Sequence, residues 1–278
     1  MAFQELRRVL PSPLPGCLAL QMSGARSYPR HSHDQHGIGL IERGGQRSAS
    51  GRGPVEAVAG QLISVNPGEV HDGQALDERG RSWRMLYLDP ALFAELTVEL
   101  RGRDGSVPLT PPVLEHAQLR VALLALFAAL DAAQPALAVE TLLLQCLAKL
   151  LPSAGAALQR PLAPAAVARA RELLLADLRQ TPGLAALAQA CELSRFQLLR
   201  GFSHSYGLPP HAYLLQQRLA LARRLIQAGS LLADAAADAG FADQSHMHRA
   251  FVRCLGFTPG AYRAAISFKT ARHPSASI

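Results

Sequence analysis

The stretch "RGFSHSYGLPPHAY" at residues 200–213 returns 49 positions later as "RAFVRCLGFTPGAY" at residues 249–262. Arg200 superposes on Arg249, Phe202 on Phe251, Gly207 on Gly256, Pro210 on Pro259, and Tyr213 on Tyr262. A repeat of that period marks one supersecondary unit used twice. Each copy reads as a short helix, a tight turn and a second helix. In the first, "LAALAQA" (184–190) is helical in propensity, "CELS" (191–194) supplies the turn, and Ser194 caps a helix that reaches about Tyr206 before Gly207 stops it. In the second, "LLADAAADA" (231–239) ends on Gly240, Asp243 caps a helix to about Leu255, and Gly256 stops it. Between them "PPHAYLLQQRLALARRLIQAG" (209–229) opens on proline, closes on glycine and spaces its apolar residues as one long helix does. Two helix-turn-helix units on a strut are expected.

At 100° per residue Met247, Ala250, Phe251, Cys254 and Leu255 share one face of the last helix, and Ser245, His248, Arg249 and Val252 the other. The matching outward face of the first unit carries Phe196, Leu199, Arg200 and Ser203, with Gln197 and His204 at its margin. Arginine, glutamine, serine and an aromatic on an exposed helix suit the major groove: Arg clasps guanine, Gln clasps adenine, and an apolar ring covers a thymine methyl. A strut of about 20 residues sets the two faces roughly 30 Å apart, near one turn of B-DNA.

Charge agrees with that reading. Of the formal +7 carried by the 278 residues, the part from Arg160 onward holds 14 Lys+Arg against 6 Asp+Glu, and the part before it 14 against 15. The surplus is confined to the repeat-bearing segment, where it attracts polyanions. No apolar run is long enough to span a membrane: "VALLALFAAL" is closed by Asp131. "RRVLPSPLPGCLAL" interrupts with three prolines the apolar helix a signal peptide needs, so a cytoplasmic location and no membrane partner are expected. The four cysteines, Cys17, Cys146, Cys191 and Cys254, lack metal or disulfide spacing and are expected as buried free thiols.

From about Pro164 to Ala265 the chain resembles the DNA-binding domain of the AraC/XylS family of bacterial transcription regulators, on "RLALARRLIQAG" and "AADAGFADQSHMHRAFVRCLGFTPGAYR". The resemblance implies that the second helix of each unit enters the major groove. It assigns DNA contacts to Arg195, Phe196, Gln197 and Arg200 in the first unit, and to Gln244, Ser245, His246, His248 and Arg249 in the second. It also implies activation of transcription, with RNA polymerase as a further partner. Phosphate neutralisation falls to Arg218, Arg223, Arg224, Arg253 and Arg263.

The front half has short β-prone runs, "GIGLIE", "VEAVA", "QLISVN" and "RMLYL", separated by Gly, Pro and Ser, as in a small β-barrel or jelly roll. His31 and His33, two apart on an expected strand, face the same way, and His71 joins them from the turn in "NPGEVHDG" (66–73). His36 is expected to face solvent. "PRHSHDQHGIGLIERG" and "GQLISVNPGEVHDG" resemble the cupin-like effector domain that precedes the DNA-binding part in many family members. Cupin metal sites add a glutamate soon after H-x-H, but Gly37 and Ile38 stand at that place and Glu42 is too far along. Three readings stay open for His31, His33 and His71: a divalent metal, an effector-contacting cluster, or structural histidines. Effector contact is the expectation and no metal or other cofactor is assigned. A cupin-type enzyme with an accessory helical domain needs a complete metal site or an acid/base pair, and the sequence offers neither, nor a nucleophile motif. No enzyme is expected.

"VLEHAQLRVALLALFAALDAA" and "ALAVETLLLQCLAKLLPSAG" read as two helices more apolar than a lone surface helix requires, and one of them is expected to pair with a second copy in a homodimer. The expected architecture is α+β in two domains: a cupin-like effector-sensing β-barrel at 1–110, a helical dimerisation segment at 111–152, a linker at 153–163, and an all-α double helix-turn-helix domain at 164–278. The expected function is that of an effector-responsive regulator binding double-stranded DNA. A constitutive DNA-binding protein with a structural barrel is the alternative.

Overall fold

The computed structural model describes residues 4–101, 107–109, 111–151, 164–255 and 257–270. The linker expected at 153–163 and the helix stop expected at Gly256 lie outside these residues. The chain divides into two compact units, Met1–Pro161 and Leu162–Ile278.

The first unit is built from β1 (Leu6–Leu10), β2 (Cys17–Gly24), β3 (Tyr28–His31), β4 (His36–Arg43), β5 (Gly45–Ser50), β6 (Gly53–Val58), β7 (Leu62–Val65), β8 (His71–Ala75), β9 (Arg81–Leu88) and β10 (Val113–Leu114). A six-stranded sheet runs β1-β2-β9-β4-β7-β10 and a four-stranded sheet β3-β8-β5-β6, all pairs antiparallel. Their inner faces meet in one core of Ile41, Ala57, Ile63, Trp83, Met85 and Tyr87, with Tyr28 and Met22 against it. This is the two-sheet, jelly-roll form of the expected cupin-like domain. Val113 and Leu114 correct the sequence reading: they pair with Ile63 and Leu62 as a strand rather than opening a helix. The helix starts three residues later because the His116 imidazole accepts from the Leu119 N–H at 3.1 Å and caps it.

Three helices follow: α1 (Pro90–Arg101), α2 (Ala117–Asp131) and α3 (Ala136–Leu150). α2 packs against α3, and each helix buries a leucine-rich face: Leu119, Leu123, Leu126, Phe127 and Leu130 on α2, and Val139, Leu143, Leu144 and Leu147 on α3. The outer face of α2 remains apolar and exposed, with Val121 at 65% and Leu124 at 42% exposure beside Ala125 and Ala128.

The second unit contains α4 (Pro164–Ala176), α5 (Leu184–Ala190), α6 (Arg195–Tyr206), α7 (Pro210–Gln227), α8 (Leu232–Asp238), α9 (Gln244–Leu255) and α10 (Pro259–Thr270). α5–α6 and α8–α9 are the two helix-turn-helix copies and α7 is the strut between them. Ser194 and Gln197 form a reciprocal capping box on α6, and Gly207 ends it at φ +72°. The Asp243 carboxylate accepts from the His246 N–H and caps α9. In the second copy Ala235, Ala236, Phe241, Met247, Ala250 and Phe251 close on Leu219, Ala222 and Ile226 of α7. In the first, Phe202, Tyr206 and Tyr213 hold ring centroids 4.7–5.4 Å apart. Cys17, Cys146 and Cys191 are buried free thiols, and Cys254 is half-buried. Among the described residues no helix is long and apolar enough to cross a membrane.

Candidate nucleic-acid interface and ligand cavity

On α9 the wheel expected from sequence is realised. Met247, Ala250 and Phe251 are buried, Cys254 and Leu255 half-buried, and Gln244, Ser245, His248, Arg249 and Val252 exposed. On α6 Arg200 and His204 are exposed, and Phe196, Gln197 and Ser203 half-buried. The repeat therefore presents an equivalent arginine, Arg200 and Arg249, on the outer face of each second helix.

Several expected contacts are corrected. Arg195 at 4% exposure and His246 at 8% are inside the fold, both in the first turn of their helices, and the His246 ring lies 5.3 Å from that of Phe241. Leu199, placed on the outer face by the wheel, is buried at 6%. Gln197 has its Oε1 engaged by the Ser194 N–H at 2.9 Å, which takes the acceptor that a bidentate clasp on adenine needs. Arg218 is also inside, donating from Nε to the Leu178 carbonyl at 2.9 Å; Arg223, Arg224, Arg253 and Arg263 are exposed.

The inward histidines of this unit are held neutral. Burial, with Arg253 adding to it, pushes the His211 imidazole down to about 4, and burial together with Arg249 and Arg218 also lowers His246. Unfolding returns both to the ordinary value near 6.5, so between pH 6.5 and 4 the unfolded chain binds more protons. The stability from keeping these rings neutral is complete above pH 6.5 and is lost as pH falls through that window, by at most ~3 kcal/mol for His211. Thermal unfolding by circular dichroism should show a midpoint that falls from pH 7 to 4.5, with a shallower fall in His211→Gln. A flat wild-type midpoint would contradict the assignment.

In the first unit a cavity of about 190 Å³ opens between the sheets, lined on its apolar side by Leu20, Met22, Ile63, Met85, Trp83 and Tyr28. His31, His33 and His71 meet at it, their ring nitrogens within 4.8 Å of one another. The local geometry departs from the sequence reading. β3 ends at His31, so His33 lies beyond the strand, and His71 is the first residue of β8, paired with His31, rather than part of the turn. The turn before it has the expected form, with Gly68 at φ +72° and the Glu69 N–H donating to Asn66 O at 3.1 Å. His31 Nδ1 lies 2.8 Å from Pro29 O and His71 Nδ1 2.9 Å from Glu69 O. Carbonyls only accept, so both Nδ1 atoms carry a proton and Nε2 is the lone-pair nitrogen of each neutral ring. Burial, then the neighbouring His31 and His71, lower the pKa of His33, whose Nε2 is 3.5 Å from Tyr87 Oη. His36 is not solvent-facing: its ring stacks on Phe93 at 3.9 Å, and burial lowers its pKa.

A ligand-sized cavity in a β-domain and a paired helix-turn-helix unit on one chain define a DNA-binding regulator that carries its own ligand-binding domain. Comparison with known proteins agrees part by part. Residues 16–147 match the AraC-like ligand binding domain and residues 187–265 a helix-turn-helix domain. The HTH-type transcriptional regulator YbfI of Bacillus subtilis (strain 168) is 29% identical over 226 residues, covering 80% of this chain and 82% of that protein. An AraC-like transcription regulator of Streptomyces antibioticus is 37% identical over 103 residues, 37% of this chain and 34% of its own length. Among solved structures, the DNA-binding domain of AdpA in complex with a target DNA is 30% identical, covering 39% of this chain and 96% of that one, with a TM-score of 0.34. The chain thus carries an AraC-like ligand binding domain and a helix-turn-helix domain, the two parts of an AraC-type transcription regulator.

Proposed function

We propose that α6 and α9 read two successive major grooves of one duplex, and that a small molecule in the cavity of the first unit changes how tightly they do so. The observation that carries the reading is the pair of exposed, repeat-equivalent arginines, Arg200 and Arg249, at the two ends of α7. With 18 residues α7 is about 27 Å long, close to the groove-to-groove spacing of B-DNA. Phe196 and Arg200 then read from α6, and Gln244, Ser245, His248 and Arg249 from α9. Arg223, Arg224, Arg253 and Arg263 neutralise phosphates. Selection of binding sites from random duplexes with the purified chain tests this: two short boxes about 10 bp apart are expected. Enrichment of a single box, or of none, would contradict it.

The histidine trio is assigned to the effector rather than to a metal or to catalysis. Among the described residues no carboxylate joins the cluster, and the family's regulatory role needs no reaction there. Elemental analysis of the purified chain should find less than stoichiometric metal, and a chelator should leave DNA affinity unchanged. Activation through RNA polymerase and a cytoplasmic location complete the reading.

The exposed stripe of Val121, Leu124, Ala125 and Ala128 on α2 is assigned to a second copy of the chain, since a two-fold pairing of one apolar helix face is self-complementary. Leu124→Asp should convert a dimer to a monomer in sedimentation and weaken DNA binding about 10- to 100-fold through lost avidity. A monomeric wild type, or a dimeric variant, would remove the interface from α2.

A further inference from the structure

Two arginines line the cavity, and their surroundings differ. Arg52 is compensated: its Nε donates to the Glu69 carboxylate at 2.7 Å, and its Nη groups donate to the carbonyls of Ser64 and Leu109, each at 2.7 Å. Arg81 is buried more deeply, at 1% exposure, yet among the described residues no carboxylate pairs with it. Its Nε donates to Gln46 Oε1 at 3.2 Å and its Nη1 to Arg26 O at a long 3.4 Å. Its guanidinium lies 4.5 Å from the Trp83 ring centroid and 5.8 Å from that of Tyr28. The acids of the cavity are taken: Glu69 by Arg52, and Asp72 by the Ala49 N–H at 2.7 Å.

A buried cation is retained when something neutralises it, and a planar guanidinium with N–H donors to spare fits a carboxylate through two parallel hydrogen bonds. Ring faces on one side soften the charge without replacing the counter-ion. Burial also works against the charged form of Arg81, lowering its pKa, and a bound anion would relieve that. One wall of the cavity is apolar and aromatic, formed by Leu20, Met22, Tyr28, Ile63, Trp83 and Met85. A cavity of about 150 Å³ holds benzene, so the roughly 190 Å³ here accommodates one ring or a branched chain plus a carboxylate.

We propose that Arg81 is the carboxylate-binding residue of the effector site, and that the effector is a small organic acid with an aromatic or branched apolar body. The inference rests on the reading of this cavity as the effector site and names the chemistry of its occupant. The probes are benzoate, 4-hydroxybenzoate, phenylacetate and isovalerate, each set beside its primary amide, with binding to the full chain measured by calorimetry and thermal shift. At least one acid should bind in the millimolar range or tighter and about 10- to 100-fold better than its amide, the effect of one charge-assisted pair. Arg81→Gln should abolish that preference and Arg81→Lys retain part of it. If Arg81→Gln does not fold, the acid–amide comparison on the wild type decides. Equal binding of acids and amides, no binding by any acid, or an undiminished preference in Arg81→Gln would overturn the proposal. The two readings fail separately. An acid that binds but leaves DNA affinity unchanged defeats effector control and spares Arg81, whereas an uncharged ligand that shifts DNA affinity defeats the role of Arg81 and spares effector control.

Discussion

Alanine at Gly240 should unfold the helical unit at temperatures where the wild type is intact. Gly240 sits at φ +82°, where a Cβ meets its own backbone, and that Cβ would lie 2.0 Å from the carbonyl oxygen of Leu178 and 3.0 Å from Arg218 Nε. The Leu178 carbonyl is the acceptor for the buried Arg218 guanidinium at 2.9 Å, so moving it aside leaves a buried cation short of its hydrogen bond. Backbone strain of ~1 kcal/mol, a charge-assisted hydrogen bond of ~2 kcal/mol and the overlap itself together cost about 3–5 kcal/mol. For a unit of this size that is a fall in melting midpoint of about 12–24 °C or more. Circular dichroism of the full chain checks it. A shift below about 4 °C would mean that the packing of Leu178 and Arg218 against Gly240 is not as described.

Removing both reading arginines should abolish sequence preference while leaving the fold intact. Arg200 and Arg249 are exposed, so alanine at either opens no cavity in the core. Each bidentate arginine–guanine contact is worth about 1–3 kcal/mol of discrimination. The two residues lie on separate helices, α6 and α9, joined through α7, so their losses should add to about 2–6 kcal/mol, roughly 30-fold to 10⁴-fold, in the double variant. Anisotropy titrations against selected and scrambled duplexes at one salt concentration separate this from phosphate binding. Affinity for the selected duplex should fall to that for the scrambled one. A parallel loss on both duplexes would instead place these arginines on the backbone.

How much of this was legible in the sequence follows from which interactions are local. The repeat, the Ser194 cap, the Gly207 stop and the α9 faces depend on residues within a turn or two, and the linear pattern carries them. The four β-prone runs correspond to β4, β6, β7 and β9, whose side chains alternate in apolar character or are apolar throughout. Among the strands that escaped, β5 "GQRSAS" and β8 "HDGQA" are polar and are held by pairing with each other rather than by their own pattern, whereas β2 "CLALQMSG" is largely apolar. α1 escaped too, although its buried Phe93, Leu96, Thr97 and Leu100 recur at helical spacing. At the site, Arg200 and Arg249 could be read because spacing alone sets them, whereas the convergence of His31, His33 and His71 is expected but rests on the pairing of β3 with β8 across forty residues. Arg195 lies on the core side of its wheel and is assigned to DNA by resemblance alone, while the burial of His246 and Leu199 depends on how α9 and α6 meet their neighbours. Arg81 carried no signal in the chain. Only the tertiary structure shows a charged side chain buried among Tyr28, Trp83 and Gln46 with no acid paired to it among the described residues.

Guanine-N7 methylation interference on a selected duplex, with the wild type and with Arg200→Ala and Arg249→Ala singly, tests the central claim most directly. The account predicts two clusters of interfering guanines about 10 bp apart on one face of the duplex, with each variant blind to a different cluster. One cluster only, or two that both variants still sense, would contradict it.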